Sequence, residues 1–327
     1  MSSMASRESA NVRGDAVDRP MVMNRILCPT DLSERSIELL QYAATIQHWY
    51  GGDLTLLHVV PTFDAVEAHA GDWFDPVTVA YPMPREEVIE RIRDAVAVAG
   101  ISDARLHYEA AAGHPAAAIL DTALALSADL IVVGTQTRSG LDGVVLGSVA
   151  DMILRRAPCD VVTVPTDVRH PMPRPTVSSI ACGVDSSPDA LHVARVAFEI
   201  AGRTNASLLL VHAIEWITDE QPTDYVDFNV AEYRARLVYN AQHSLDALVD
   251  RASAGQARSV RTRVVVGRAY REVLALARSE HADLIVIGQH GGPVRPLPLI
   301  GGTADQIVRG ASCPVLTVRG AHASGGA

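Results

Sequence analysis

The feature of this sequence that most restricts its fold is an internal repeat with one constant spacing. Asp31 and Asp185 lie 185 − 31 = 154 positions apart. The same offset joins His58 with His212, Gly113 with Gly267, Gly134 with Gly288, Gly147 with Gly301, Cys28 with Cys182 and Cys159 with Cys313. One offset shared by so many landmarks predicts two units of equal layout, with no net insertion between them.

The repeat and the local composition together predict the domain bounds. We expect a flexible N-terminal tail at residues 1–22, a first domain at 23–165, a proline-rich linker at 166–175, a second domain at 176–319 and a disordered tail at 320–327. Prolines at positions 165, 171, 173 and 175 stiffen the region of the linker. The chain of 327 residues is long enough for two ordinary domains.

Each half alternates apolar runs with helical patterns. The run Leu130–Val133 predicts a buried parallel strand that ends at Gly134, and a loop then leads to Gly147. Ser148 followed by Asp151 predicts a capping-box-like helix start, and a further buried strand follows this helix. The order of elements predicts an α/β fold in which each domain is a doubly wound, five-stranded parallel sheet of Rossmann-like type.

Charge and composition exclude several classes of protein. The formal net charge of −10 argues against nucleic acid and against an anionic membrane surface as the main partner. No apolar run approaches the length of a membrane span, and the N-terminus has no signal-peptide pattern. The four cysteines form no metal-binding spacing and no dense disulfide framework, so we expect reduced thiols in the cytoplasm.

The chain contains no lysine, since all 28 of its Lys and Arg residues are arginines. A P-loop lysine, a Schiff-base lysine and a lysine general base are therefore excluded. No repeated carboxylate pair and no arrangement of nucleophile and base adjoins the glycine loops. We accordingly predict no catalytic residue, no resident metal and no fast enzymatic reaction.

A set of short motifs recurs in order in both halves. In the first half these are ILCPTDLSERS, LTLLHVV, AAGHPAAAIL, DLIVVGTQTRSG and VVLGSVADMILRRAPCDVVTV. Together with their second copies they resemble the universal stress protein family in its tandem form, over about residues 23–320. The resemblance implies a five-stranded α/β fold, dimers or pseudo-dimers built around the last strand, and a regulatory role in stress.

The nucleotide-binding branch of that family has a glycine, two residues, a second glycine, nine residues, and a glycine followed by serine or threonine. The first copy matches at Gly134, Gly147 and Ser148, with Thr137 in place of the second glycine. Thr137 resists positive φ and adds bulk, so restoring glycine there is expected to tighten binding. The strand-one aspartate of that branch, which lies near the adenine, corresponds to Asp31.

The second copy departs from the pattern at another position. Gly288, Gly291 and Gly301 match, but Gly302 stands where the hydroxyl residue belongs, so Thr303 is a candidate after a shift of one residue. The aspartate corresponds to Asp185. The resemblance thus implies nucleotide-binding residues in both halves: Asp31, Gly134, Thr137, Gly147, Ser148, Asp185, Gly288, Gly291, Gly301 and Thr303.

Three function classes stay open at this stage. The first, and the one we favour, is a stress-response regulator that binds an adenine nucleotide, ATP or AMP, with or without Mg²⁺. The second is a nucleotide-independent interaction module, because glycines after a strand also serve turns and Asp31 can satisfy backbone N–H groups. The third is a slow adenine-nucleotide hydrolase. Between the two halves, we expect the first to bind nucleotide better, since it keeps Ser148 and loses no loop N–H to proline.

The partners expected are the nucleotide and the other half of the same chain. The segments Asp160–Val164 and Pro314–Val318 are apolar last strands, and each would leave an exposed sheet edge if it stood alone. Pairing them, as the family's dimers suggest, removes both edges in an internal pseudo-dimer. A further homodimer is left open, and neither nucleic acid nor membrane is expected.

Overall fold

The computed structural model describes residues 23–62, 83–102, 105–137, 144–166, 176–215, 230–253, 260–289 and 300–320. The predicted tail at 1–22, most of the linker and Gly291 lie outside the described residues. Within the described ranges the chain forms helices and strands in regular alternation. The order of elements in the second half largely repeats that in the first.

The described part of the first half contains ten elements, in chain order: β1 (Arg25–Pro29), α1 (Ser36–Tyr50), β2 (Asp53–Pro61), α2 (Arg85–Val98), β3 (Leu106–Gly113), α3 (Pro115–Ala125), β4 (Leu130–Thr137), β5 (Val144–Val145), α4 (Ser148–Arg156) and β6 (Asp160–Thr166). The described residues of the second half form nine: β7 (Ser179–Val184), α5 (Ala190–Thr204), β8 (Ser207–Ile214), α6 (Val230–Ser253), β9 (Val260–Val266), α7 (Ala269–Ser279), β10 (Leu284–Gly288), α8 (Gly302–Gly310) and β11 (Val315–Val318).

All of these strands belong to one sheet with the order β3-β2-β1-β4-β6-β11-β10-β7-β8-β9, and the short β5 pairs with β4. The neighbours within each half are parallel, apart from the antiparallel β4–β5 pair. Helices cover both faces, so central strand residues such as Leu130 and Val286 have no exposed surface. The predicted α/β fold is confirmed, with β5 as an addition to the five strands expected in the first half.

The two halves join along their last strands, as predicted. β6 and β11 pair in antiparallel fashion, with Val162 opposite Leu316 and Val161 opposite Thr317. Antiparallel pairing of equivalent strands is what a two-fold relation between the halves produces. We call the junction of β6 with β11, and the helices that meet across it, the seam. It converts two exposed edges into the centre of one sheet, which is an internal pseudo-dimer.

The apolar core continues across the seam on both faces of the sheet. One cluster of buried side chains includes Leu40 of α1 and Val193 of α5. The cluster on the opposite face includes Ile153 of α4 and Ile307 of α8. Each cluster therefore contains residues from both halves, and the burial of apolar surface that stabilises one half also holds it to the other.

The prediction that a strand ends at Gly134 is wrong for the first half. β4 continues through Gly134 to Thr137, and its register with β6 extends to Gln136 opposite Thr166. The reason is a hydrogen-bonding partner: β6 runs on to Thr166, which we expected in the linker, and this leaves polar backbone groups for β4 to pair with. In the second half β10 does end at Gly288.

Candidate functional site

The carboxyl ends of β1 and β4 border a cavity of about 490 Å³, which we call the first cavity. Loops from the carboxyl ends of parallel strands to the amino termini of helices are the usual ligand positions of such sheets. The cavity brings together four residues of the predicted site: Asp31, Gly134, Gly147 and Ser148. Thr137 lies three residues beyond Gly134 in β4, opposite Val144 of β5.

Asp31 is anchored through one of its two carboxylate oxygens. Its Oδ1 accepts hydrogen bonds from the backbone N–H of Ser33 at 3.0 Å, the Ser33 hydroxyl at 2.6 Å and the Ser36 hydroxyl at 2.7 Å. Partial burial raises the pKa of Asp31, but the bonds from Ser33 and Ser36 outweigh it and leave the pKa below its usual value. Among the described residues Oδ2 has no hydrogen-bond partner. An ionised Asp31 thus stabilises the turn through Oδ1 and keeps Oδ2 as a free acceptor at the cavity.

Helix α4 begins without a side-chain cap. Its N-cap residue is Gly147, with φ −65° and ψ 155°, and Ser148 is the first helical residue. The predicted capping box is therefore wrong, because a hydroxyl caps from the N-cap position and Ser148 stands one residue too late. Within the described part of the chain the Ser148 hydroxyl has no hydrogen-bond partner, and it lies beside the N–H groups that a helix leaves unpaired in its first turn.

The two glycines of the first cavity are not explained by backbone conformation. Neither Gly134 nor Gly147 has a positive φ. A Cβ added to Gly147 would meet no atom within 4 Å, and one added to Gly134 would have its nearest neighbours at 3.6 Å, an ordinary contact. Turn geometry therefore does not require glycine at either position. The missing side chains leave room in the cavity next to the start of α4.

Arg35 was missed by the sequence analysis. It is the N-cap residue of α1, it is exposed, and it lines the first cavity. Its guanidinium has no ion-pair or hydrogen-bond partner among the described residues. The repeat contained a signal for it, because the residue 154 positions later is Asp189, which carries the opposite charge. A position where the two halves differ in charge sign is a candidate for a difference in ligand.

The second half contains an equivalent cavity of about 310 Å³, which we call the second cavity. It brings together the other predicted residues that the structure describes: Asp185, Gly288, Gly301 and Thr303. The Oδ1 of Asp185 accepts a hydrogen bond from the backbone N–H of Ser187 at 3.0 Å, which repeats one of the contacts of Asp31. The predicted residue Gly291 lies outside the described residues.

The start of α8 keeps the register of α4 but lacks its hydroxyl. α8 begins at Gly302 with Gly301 as its N-cap residue, in the same way that α4 begins at Ser148 after Gly147. Thr303 is the second residue of the helix and so matches Val149 in position, not Ser148. It lines the second cavity with an exposed side chain, and it makes no capping hydrogen bond.

A carboxylate already occupies a helix start in the second cavity. Glu215 follows β8, and its Oε1 accepts a hydrogen bond from the backbone N–H of Ala269 at 3.0 Å, at the start of α7. In the first half the corresponding positions are Pro61 and Pro115, and neither carries a charge. Since helix starts attract anions, a built-in carboxylate satisfies an N–H group there and repels a further anion.

Two other kinds of site are not found in the described ranges. They contain no group of three or more His, Cys, Asp and Glu side chains that could hold a metal ion. No helix in the same ranges has both the length and the apolar character needed to cross a bilayer. The two cavities at the carboxyl edge of the sheet are thus the sites to which the predicted residues lead.

Comparison with known proteins assigns both halves of the chain to one family. The model of the universal stress protein family matches residues 23–165 and 177–319. A universal stress protein of Mycobacterium tuberculosis is 30% identical over 194 residues, which are 58% of this chain and 58% of that relative. Another from the same species is 32% identical over 212 residues, 63% of this chain and 66% of the relative. The aligned part thus spans less than two thirds of either relative.

A solved structure shares the whole arrangement. The crystal structure of a universal stress protein from Archaeoglobus fulgidus has a TM-score of 0.62 at 18% identity, and the match covers 91% of this chain and 98% of that one. At this identity the likeness concerns the fold. Because the family model matches both halves, this chain belongs to the universal stress protein family and carries two of its domains in tandem.

Proposed function

We propose that the first cavity binds an adenine nucleotide, ATP or AMP, and that the protein is a nucleotide-dependent stress regulator. One observation carries this proposal. The uncapped start of α4 opens, together with the Ser148 hydroxyl, into a cavity that is also lined by Arg35. N–H groups, a hydroxyl and a guanidinium are the donors that proteins use for phosphate.

The lining of the first cavity offers both the apolar and the polar contacts that a nucleotide needs. The Leu57 and Val59 side chains of β2 and Ile119 of α3 provide apolar walls on which a base can pack. The start of α4 provides the donors for phosphate, and the unpaired Oδ2 of Asp31 is an acceptor for an amino or hydroxyl group. A cavity of about 490 Å³ has the size of an ordinary small-molecule site.

The second cavity is the weaker candidate for the same ligand. It is smaller, at about 310 Å³, and Gly302 offers no hydroxyl. Glu215 adds a negative charge at the start of α7. If the chain binds one nucleotide per molecule, we propose that it occupies the first cavity. The second cavity, with Asp185, Gly288, Gly301 and Thr303, should bind the nucleotide more weakly.

We propose binding without fast turnover. Asp31 is held by serines, no lysine exists in the chain, and the Nδ1 of His58 contacts the Thr30 carbonyl at 2.8 Å. Donors that position phosphate without an activated water give affinity more than rate. We expect ATP hydrolysis well below about one turnover per second, the low end of ordinary enzymes. Steady-state phosphate release measures it, and faster turnover would favour the hydrolase instead.

The test of binding starts from native protein. After gel filtration, heat denaturation should release an adenine nucleotide that chromatography identifies. Titration calorimetry of the emptied protein with AMP and ATP, each with and without Mg²⁺, then gives the phosphate count and the role of the cation. If no nucleotide is released and no heat is measured, the alternative holds, which is a nucleotide-independent interaction module. Cytoplasmic location and a further homodimer stay predictions.

A further inference from the structure

Four charged side chains, two from α4 and two from α8, meet across the seam. Each helix has an internal pair: Arg155 Nε lies 2.8 Å from Asp151 Oδ2, and Arg309 Nε lies 2.9 Å from Asp305 Oδ2. Each arginine also reaches the aspartate of the other half. Arg309 Nη2 lies 3.0 Å from Asp151 Oδ1, and Arg155 Nη2 lies 3.6 Å from Asp305 Oδ1. We call these four residues the seam cluster.

Asp151 lies close to the start of α4, which we propose as the phosphate-binding part of the first cavity. It belongs to the first turn of α4, where its backbone N–H donates to the Gly147 carbonyl at 2.9 Å. A free carboxylate in that turn would compete with a phosphate for the positive end of the helix. Both of its oxygens are engaged instead, Oδ2 by Arg155 and Oδ1 by Arg155 and Arg309.

The hydrogen bonds and charges of the two arginines also set the ionisation of this carboxyl. The hydrogen bond from Arg155, followed by the charges of Arg155 and Arg309, outweighs its partial burial and holds the pKa of Asp151 below the usual value. The carboxyl is thus ionised at neutral pH, and a neutralising partner is needed at all times. One guanidinium balances the charge of one carboxylate, and Arg155 lies close to both Asp151 and Asp305, so the second arginine is needed to neutralise the cluster.

A second contact ties α4 to the second half. The buried amide of Gln289, which lines the second cavity, donates from Nε2 to the Leu154 carbonyl at 2.8 Å, in the last turn of α4. The counterpart of Gln289 is Thr135, whose hydroxyl bonds within its own half, to the Val164 carbonyl at 3.4 Å. Side chains of the second half therefore contact α4 in both its first and its last turn.

We infer that Arg309 of the second domain is a positioning residue for the nucleotide site of the first domain. It neutralises Asp151 and keeps that carboxylate turned toward the seam, so that the start of α4 stays available to phosphate. The inference rests on the proposed function of the first cavity. It means that the first domain contains the ligand-contacting residues, while the charge balance of its site is completed by the other domain.

The test compares three variants of the full chain: Arg309→Gln, Asp151→Asn and the double variant. With AMP as the probe in calorimetry, Arg309→Gln should weaken binding by roughly threefold to tenfold, the effect of one uncompensated charge near the ligand at intermediate dielectric constant. The loss should shrink at high salt. Asp151→Asn should bind at least as tightly as the original chain, and the double variant should recover its affinity, because the charge that Arg309 neutralises is gone.

Two controls separate this role from simple support of the fold. Arg203→Gln changes the charge equally and removes another contact across the seam, from Nη1 to the Trp49 carbonyl at 3.1 Å, on the opposite face of the sheet. It should leave AMP affinity unchanged. Arg309→Lys, which keeps the charge, should retain most of the affinity. Thermal unfolding of each variant shows that folded proteins are compared.

The outcomes distinguish the inference from the proposed function. If the original chain binds neither AMP nor ATP, both are overturned. If it binds AMP and Arg309→Gln has the affinity of Arg203→Gln, only the role of Arg309 is overturned. The same conclusion follows if Arg309→Gln weakens binding but the added Asp151→Asn change fails to restore it.

Discussion

The two cavities occupy the same place in two copies of one fold, yet they differ in charge. The first is lined by Arg35 and Ser148. The corresponding residues of the second half are Asp189 and Gly302, and Glu215 adds a carboxylate to the second cavity. The strands behind both cavities pair in the same order, so the difference does not come from the scaffold. A repeat of this kind preserves the positions where a ligand can bind and leaves the choice of ligand to loop residues.

Buried positions show the opposite behaviour. Leu130 and Leu284 start equivalent strands and are at most 2% exposed, and Cys28 and Cys182 have no exposed surface. Burial raises the pKa of the Cys182 thiol to about 12, so it stays protonated and unreactive. Residues that fill the core are constrained in size in both halves, whereas cavity residues are constrained only by what binds.

The largest effect is expected from replacing Arg35 by the acid that stands at the same position of the second half, Asp189. Arg35→Asp should weaken ATP binding by roughly tenfold to a hundredfold, because a hydrogen bond to a charged group contributes about 1.5–3 kcal/mol and the new carboxylate repels phosphate. Calorimetry measures the change. The control is Arg91→Asp, an equal charge change on an exposed arginine of α2. Equal affinities in the two variants would remove Arg35 from the site.

The two sides of the seam differ at the buried Asp160, and this difference predicts a dependence of stability on pH. Asp160 begins β6 and corresponds to Pro314. Burial raises the pKa of Asp160 to about 7, the backbone N–H and charge of Arg319 lower it only in part, and Asp129 raises it. The folded state therefore binds this proton more tightly than the unfolded state. Its stabilising contribution is complete at low pH and is lost as the pH rises from about 4 to about 7.

Asp160→Asn should remove that loss while keeping an acceptor for the Arg319 N–H, which lies 2.8 Å from Asp160 Oδ1. The variant should be more stable than the original chain by roughly 1–3 kcal/mol at pH 8, and by less at pH 5. Urea unfolding at the two pH values measures the free energies. A stability difference that does not grow with pH would contradict the raised pKa.

A smaller effect is expected from the hydroxyl that distinguishes the two helix starts. Ser148→Ala should weaken nucleotide binding by roughly 1 kcal/mol or more, or about fivefold, through the loss of one hydrogen bond to a charged group. The reciprocal change Gly302→Ser should add no measurable site, since Glu215 stays at the start of α7. Calorimetric affinities and the number of bound nucleotides per chain check both statements. A second site in Gly302→Ser would mean that the hydroxyl alone separates the two cavities.

The smallest effect concerns Thr137, for which the structure changes our expectation. Thr137 lies in β4 opposite Val144, and the backbone of a paired strand is extended, so there is no left-handed strain for glycine to relieve. Thr137→Gly should leave nucleotide affinity unchanged and lower stability by about 0.5–1 kcal/mol, the usual cost of glycine within a strand. Calorimetry and thermal unfolding measure the two quantities. Tighter binding would show that the bulk of Thr137 limits the site after all.

Much of the fold was predictable because it depends on patterns that recur at a fixed interval. The apolar runs predicted buried strands, and the 154-residue offset predicted two equal units. The pairing of β6 with β11 was predicted from two exposed edges together with the dimers that the family resemblance implies. Burial and backbone hydrogen bonding determine these features of the fold. Both can be inferred from residue type and spacing without knowing where each side chain points. The resemblance to the universal stress protein family implied Asp31, Gly134, Gly147 and Ser148, which the structure gathers around one cavity.

The errors occurred at the ends of elements. Whether β4 stops at Gly134 or continues to Thr137 depends on how far β6 extends beside it. β6 begins at Asp160, 23 residues after Thr137. Whether Ser148 caps α4 or begins it depends on a single residue of register. Local propensity differs little between such alternatives, so distant hydrogen-bond partners decide them.

The residues alone were enough to establish the α/β class, the duplication and the absence of lysine from this sequence, because these depend on residue identity and spacing. The contacts of the cavities and the seam depended on the folded chain. Arg35 lines the first cavity and Glu215 lines the second, and the sequence around neither residue shows that it lies at a cavity. Arg309 and Asp151 are 158 positions apart and meet only because β6 pairs with β11 and brings α8 beside α4. Electrostatic interactions act through space, so the balance of charge at each cavity exists only once the sheet has formed.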